Sequence, residues 1–224
     1  MQILSALSLI FMGIGLLVEY LILDRKQGTE KGSYYLGITL TFIGTWMGSQ
    51  IDVRQLLFNN ILLLWNMEYL SLIMIPIPAL LFVNKMERGI CQKELYSLCL
   101  FIALCDVFII TSAGIGVYSF VELNLLVDFL ILLTCIAIAR SFFVIRVKDI
   151  DLFKDLTWMI GAGSTLISFS IIELLSFFLN GYENQGRFLS VGSVIFAFQM
   201  IHMQSMEYNK IQAEKNKLEV ADKV

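Results

Sequence analysis

One histidine, His202, stands among the 224 residues, together with two prolines, four cysteines and a charged fraction of only 16%. Each scarcity removes a class of function. A lone histidine excludes zinc sites built from several histidines and two-histidine iron sites, and Cys91, Cys99, Cys105 and Cys135 form no C-x-x-C pair to replace them, so no metal and no cofactor is expected. Nineteen acids against sixteen bases leave no basic excess for nucleic acid. A Gly-rich phosphate loop, a kinase signature and a metal-dependent catalytic motif are also missing from the sequence. What fills the chain is apolar: 58% of the residues are hydrophobic and the mean hydropathy is +0.77. Globular chains run at about 45–50% apolar and about 25% charged. A domain of this size has no interior large enough for the excess, so lipid is expected to solvate it.

A transmembrane helix needs about 20 mostly apolar residues. The chain divides into seven such blocks: Gln2 to Leu23, Tyr34 to Gln50, Ile61 to Val83, Leu95 to Tyr118, Glu122 to Ile145, Leu156 to Asn180 and Phe188 to Met206. The first has neither a basic start nor a small-residue cleavage site and reads as a retained span. Thirteen of the sixteen bases sit in every second joint: Arg25, Lys26 and Lys31; Lys85, Arg88 and Lys93; Arg146, Lys148 and Lys154; and Lys210, Lys215, Lys217 and Lys223. The alternate joints hold only Arg54 and Arg187. Basic loops stay cytoplasmic, which places the amino terminus outside and the tail inside. The expectation is an all-α integral membrane protein, a seven-transmembrane helix bundle over residues 1–206 with a cytoplasmic helix over 207–224. Pro76 and Pro78, both in the third span, each remove a backbone donor and predict a kink or unwound turn. Small residues at Gly161-Ala162-Gly163-Ser164 and Ala113-Gly114-Ile115-Gly116 predict close helix approaches.

Acids inside the spans are the candidate site. A carboxylate at mid-bilayer costs roughly 2.5–3.5 kcal/mol on insertion scales, so each needs a partner, a cavity or a proton. Counted from the span ends, Glu68, Asp128 and Glu173 all fall about 10 Å below the outer surface at 1.5 Å per residue, while Asp106 lies near mid-depth. With Asn66 and Trp65 as neighbours, these four predict an outer cavity that receives a small cationic or hydrogen-bonding ligand, or protons. The alternative gives each acid a Ser, Asn or backbone partner on a neighbouring helix and no ligand. Toward the other face, Glu19 and Arg140 share a depth, where they can pair or where Arg140 can snorkel to the headgroups. Ser164 and His202 supply the minimum for a serine nucleophile and its base. The sequence around Ser164 lacks the Gly-x-Ser-Gly order of rhomboid proteases, and the chain is read as no enzyme.

From Gln199 to Val224 there is no glycine or proline, and the residues after Met206 are good helix formers. Tyr208, Ile211 and Leu218 fall near one stripe, which matches two heptads of a coiled coil between two copies; a solvated helical stub is the alternative. The runs Gly44-Thr45-Trp46-Met47, Leu56-Leu57-Phe58-Asn59-Asn60 and Tyr69-Leu70-Ser71-Leu72-Ile73-Met74-Ile75-Pro76-Ile77-Pro78-Ala79-Leu80-Leu81-Phe82 resemble the second and third spans of the bacterial seven-transmembrane receptors with diverse intracellular signalling modules, above all members joined to GGDEF diguanylate cyclase domains. That resemblance implies a sensor in the bacterial cytoplasmic membrane, the lipid bilayer its first partner. It would pass a stimulus through Pro76, Pro78 and the tail stripe to a cytoplasmic signalling domain, as a homodimer and as the membrane part of a longer protein. The GGDEF signature is not among these residues, so cyclic di-GMP synthesis is not assigned to them. A small-solute or proton-coupled transporter using the same acids is the rival expectation.

The charge alternation predicts the orientation directly. A phosphatase reporter that works only outside the membrane is expected to be active when fused after Arg54, Ser119 or Glu183 and silent after Lys26, Arg88 or Asp149; the inverse pattern would overturn the assignment.

Overall fold

The computed structural model of the chain describes residues 2–24, 32–49, 61–120, 122–180, 188, 190–203 and 205–206, with side chains at all of these except 61–65, 155, 170 and 173–180. Among the described residues there is helix and turn and no strand. In chain order the helices are α1 (Gln2–Glu19), which runs on into a π-helical turn (Tyr20–Asp24), α2 (Gly32–Ser49), α3 (Ile61–Met74), α4 (Pro76–Met86), α5 (Gln92–Ile115), α6 (Asn124–Lys148), α7 (Ile150–Asp155), α8 (Thr157–Asn180) and α9 (Ser190–Met203). Among the described residues four stretches are long and apolar enough to cross a membrane: Gln2–Ile22, Asn66–Met86, Gln92–Ile115 and Asn124–Lys148. The chain forms two compact units, Met1–Asp155 and Leu156–Val224.

The long helices are apolar on every side. α5 turns Leu95, Cys99, Ile102, Asp106, Ile109 and Ser112 inward at spacings of three and four, while Leu100, Leu104, Val107 and Phe108 are exposed. α6 buries Val127, Leu130, Thr134, Ser141 and Ile145 and exposes Leu125, Phe129, Leu132 and Phe143. In water such exposed faces would be a large uncompensated patch; a helix hydrophobic all round belongs in a core or in a bilayer.

Hydroxyls inside these helices bond back to their own backbone. Thr39 donates to the Tyr35 carbonyl, Thr41 to Gly37, Thr45 to Thr41 and Thr134 to Leu130, each at 2.8 Å. The tightest packing in the first unit joins α1 to α2. A Cβ on Gly37 would stand 2.9 Å from the Gly13 carbonyl oxygen, and one on Gly44 would stand 2.9 Å from both the Ala6 carbonyl oxygen and the Ile10 amide nitrogen. The two backbones therefore touch where only glycine fits. The expected close approaches at Gly114, Gly116, Gly161 and Gly163 are not found, because a Cβ at any of them would meet nothing within 4 Å among the described residues. Gly116 serves instead as the left-handed cap of α5, at φ 78°, with its N–H on the Ala113 carbonyl and that of Val117 on Ser112.

The apolar stretch Asn66–Met86 is divided, as its prolines require. Pro76 and Pro78 have no N–H, and Ile75 bridges α3 and α4 through two long bonds, its own N–H to the Leu72 carbonyl and its carbonyl to the Ala79 N–H, both at 3.3 Å. Beyond the break α4 is the hub of the unit. It packs against α2, α5 and α6 and buries Pro76, Pro78, Leu80, Phe82, Val83 and Met86. α6 begins at Asn124 rather than at Glu122, and Glu122 lies in the turn before it, its Oε2 accepting from the Ser119 N–H (2.7 Å) and hydroxyl (2.9 Å) in the pattern of a capping box. These bonds, the backbone one first, hold the exposed Glu122 carboxyl below the usual carboxylate range.

In the second unit, α8 and α9 meet closely at Gly192, where a Cβ would lie 2.8 Å from Cγ of Phe169. His202 lies edge-on to Trp158, ring centroids 5.8 Å apart. The described end of α9 is Met203, and residues 207–224, which include Tyr208, Ile211 and Leu218, lie outside the described residues.

The glycine contact gives a direct test. Gly37→Leu is expected to lower the thermal midpoint of the detergent-solubilised protein by the equivalent of about 1–3 kcal/mol of overpacking, whereas Gly15→Leu, whose Cβ faces open space, is expected to leave it unchanged. Equal effects of the two would show that α1 and α2 do not meet at Gly37.

Candidate functional site

Where α5 gives way to α6, two of the predicted acids, Glu68 and Asp128, each lie within electrostatic reach of Tyr69. Glu68 is half-buried on α3, and Asp128 is exposed on α6, its Oδ2 accepting from Asn124 Nδ2 at 3.2 Å. Tyr69 lies within electrostatic reach of both carboxyls, and its ring stacks on Phe120 with centroids 5.5 Å apart and planes 7° from parallel. Tyr69 carries no charge, and the sequence pattern gave no reason to select it. Asn66 is half-buried on the same helix. The side chains of Trp65 and Glu173 lie outside the described ones.

Asp128 is shallower than expected. Only four residues separate it from the start of α6, about 6 Å at 1.5 Å per residue.

Asp106 stands apart from this group. It is 4% exposed, on the inward stripe of α5 between Ile102 and Ile109, and neither carboxyl oxygen has a hydrogen-bond partner among the described residues. Burial of a carboxyl without a partner is costly, which makes Asp106 a conspicuous polar atom pair in an apolar stripe.

A second cluster, which the sequence reading left as an ordinary charged loop, occupies the end where α4 turns into α5. The turn is tight: Glu87 N–H bonds to the Val83 carbonyl at 2.9 Å, Gly89 N–H to Asn84 at 3.2 Å, and the backbone passes through left-handed conformations at Arg88 (φ 53°) and Gly89 (φ 78°). Glu87 is fully buried beneath it. Its Oε1 accepts the Cys91 N–H at 3.1 Å, at the start of α5, where a carboxylate suits the helix terminus. Its Oε2 has no bonded partner among the described residues. The Ser141 hydroxyl of α6 gives its single proton to the Ile138 carbonyl at 2.9 Å and favours the charged Glu87 carboxyl when turned toward it. Desolvation outweighs these bonds and pushes the Glu87 carboxyl above its ordinary range, with Glu94 adding to the rise. Burial pushes the Cys91 thiol up as well, Glu87 and Glu94 contributing.

Arg140 does not pair with Glu19. Its guanidinium forks onto Glu94 of α5, Nη1 to Oε2 at 3.0 Å and Nη2 to Oε1 at 3.1 Å, so the arginine that hydropathy placed near a membrane face crosslinks α5 to α6. Between those two helices lies a cleft of about 240 Å³ lined by Cys91, Glu94, Leu95, Leu98, Leu133, Ile136, Ala137, Arg140 and Ser141. Ser164 gives its hydroxyl proton to the Gly161 carbonyl at 2.8 Å. His202 packs on Trp158, as above. Among the described residues no group of three or more His, Cys, Asp or Glu side chains is placed to hold a metal ion.

The class defined by these features is an all-helical protein with several helices able to cross a membrane. No protein-family model, curated protein or solved structure matches the chain.

Glu87 generates a pH test. A carboxyl whose pKa is raised on folding contributes stability that is complete below its ordinary value and is lost as pH rises through the raised one. Glu87→Gln keeps an oxygen for the Cys91 N–H and removes that loss. The variant is expected to match the parent in thermal midpoint near pH 4 and to exceed it by a few degrees at about pH 8; parallel curves would show that the buried carboxyl carries no such penalty.

Proposed function

We propose that the chain is the membrane sensor of a signalling protein: a seven-span bundle with its amino terminus outside, in a bacterial cytoplasmic membrane, that passes an external or intramembrane stimulus to a cytoplasmic output. The observation that carries this reading is the division of the third span at Ile75. One piece, α3, bears Glu68 and Tyr69, the tyrosine within electrostatic reach of Asp128; the other, α4, packs against α2, α5 and α6 and ends at buried Glu87. A joint without its regular hydrogen bonds links a polar group at one end to the helix hub at the other. Occupancy or protonation at the Glu68–Tyr69–Asp128 end would favour one angle at that joint and so one packing of α4 on its neighbours.

The resemblance to seven-transmembrane receptors makes a diguanylate cyclase the expected output, reached through the helix over 207–224 and its Tyr208, Ile211 and Leu218 stripe in a homodimer. A proton-coupled or small-solute transporter is the second reading, and the unpartnered carboxyl of Asp106 is the observation in its favour.

The two readings separate in one experiment. In the intact protein, Glu68→Gln with Asp128→Asn is expected to change cellular cyclic di-GMP at least several-fold at normal expression, while vesicles containing the 224 residues show no uptake. Unchanged output would sink the sensor reading, and uptake abolished by Asp106→Asn would establish the transporter.

A further inference from the structure

We propose that the cleft between α5 and α6 binds one phospholipid whose headgroup carries a primary ammonium beside its phosphate, as phosphatidylethanolamine does. The inference rests on the membrane reading and adds a specific site to it. At about 240 Å³ the cleft is smaller than the roughly 300–1,000 Å³ that encloses a whole drug-sized molecule. It fits part of a ligand whose remainder lies elsewhere, as an acyl chain in a bilayer does.

Its lining is graded along the helices. Leu98, Leu133 and Ile136 line its apolar stretch, deeper in α5 and α6; Glu94, only two residues into α5, Arg140 and Ser141 form the polar end. An amphipathic ligand is required to match that grading, with its tail toward the middle of the spans and its head where α5 begins. The long Arg140 side chain brings its charge toward that end, as arginine does near a lipid boundary.

Charge selects the head. Arg140 and Glu94 face each other at 3.0 Å, yet their side chains remain 65% and 55% exposed, so both ions keep hydrogen-bonding capacity beyond the pair. A purely anionic head would take Arg140 and leave the Glu94 carboxylate opposed to the phosphate. A quaternary ammonium has no N–H to give to Glu94. A primary ammonium with a phosphate satisfies both: phosphate on the guanidinium, ammonium on the carboxylate, with no charge left unpaired.

The test uses the full chain, purified in detergent and stripped of lipid, with membrane insertion itself established separately by resistance to carbonate extraction. Native mass spectrometry is run with added phosphatidylethanolamine, phosphatidylcholine or phosphatidylglycerol, or with soluble phosphoethanolamine. Retention of one phosphatidylethanolamine, at least several-fold above the other lipids, is expected. Glu94→Gln and Arg140→Gln are each expected to weaken it about tenfold, the loss of one charge-assisted bond. The thermal midpoint of the lipid-free variants should hardly move, since an exposed ion pair contributes little. Arg140→Lys, which keeps the charge and loses the fork, guards against a folding defect and is expected to retain part of the selectivity. Equal retention of the three lipids, unaltered retention in both neutral variants, or equal binding of soluble phosphoethanolamine would overturn the proposal.

Discussion

A polar group carried into an apolar helix bundle has no water to bond with, and every one must therefore be answered from within the chain. The first unit is organised by that demand. Its threonine and serine hydroxyls turn back onto carbonyls three or four residues earlier in their own helices, which lets α2 and α6 carry polar side chains through an apolar setting without partners on other helices. The backbone amides around residues 87–91 are met by a turn that folds Glu87 underneath itself. Among the described residues the demand goes unmet at Asn84 Oδ1, at Glu87 Oε2 and at both oxygens of Asp106.

The same demand explains why α4 is the centre. Two prolines withdraw donors at the Ile75 joint, and burial adds to the long bonds that remain there: Pro76, Pro78 and Leu80 are all buried. α5 and α6 each lie against α4, and the space between them is bridged by the long Arg140–Glu94 fork. That bridge, the buried carboxyl of Glu87 and the cleft are consequences of one geometry. Elsewhere in the first unit, α1 and α2 meet at glycine contacts so close that no side chain could intervene.

Much of the architecture was legible before any coordinates. Periods of unbroken apolarity located α1, α2, α5, α6 and α8 to within a few residues, because a helix end is set by local signals such as the Gly116 cap and the Ser119–Glu122 box, and the prolines announced the break at Ile75. Helix contacts were not legible in the same way. Gly114, Gly116, Gly161 and Gly163 looked like packing surfaces and face open space, while Gly37 and Gly44 make the contact. A small residue permits close approach; which side of the helix finds a neighbour depends on how the helices are rotated, and that is a property of the whole bundle.

The candidate site divides along the same line. Glu68, Asp128 and Asp106 were found because a carboxyl in an apolar run is expensive wherever the helix lies. Tyr69 and Glu87 escaped notice, one because it is uncharged and the other because a loop glutamate is ordinarily solvated. By itself the sequence determined an apolar, helical chain and, to within a few residues, the limits of several of its helices, since these follow from local composition. Only the tertiary structure decided that Arg140 meets Glu94 rather than Glu19, and that Glu87 is buried while Asp128 is not. Pairing and burial depend on the rotation of each helix about its axis, which is set by the neighbours it packs against.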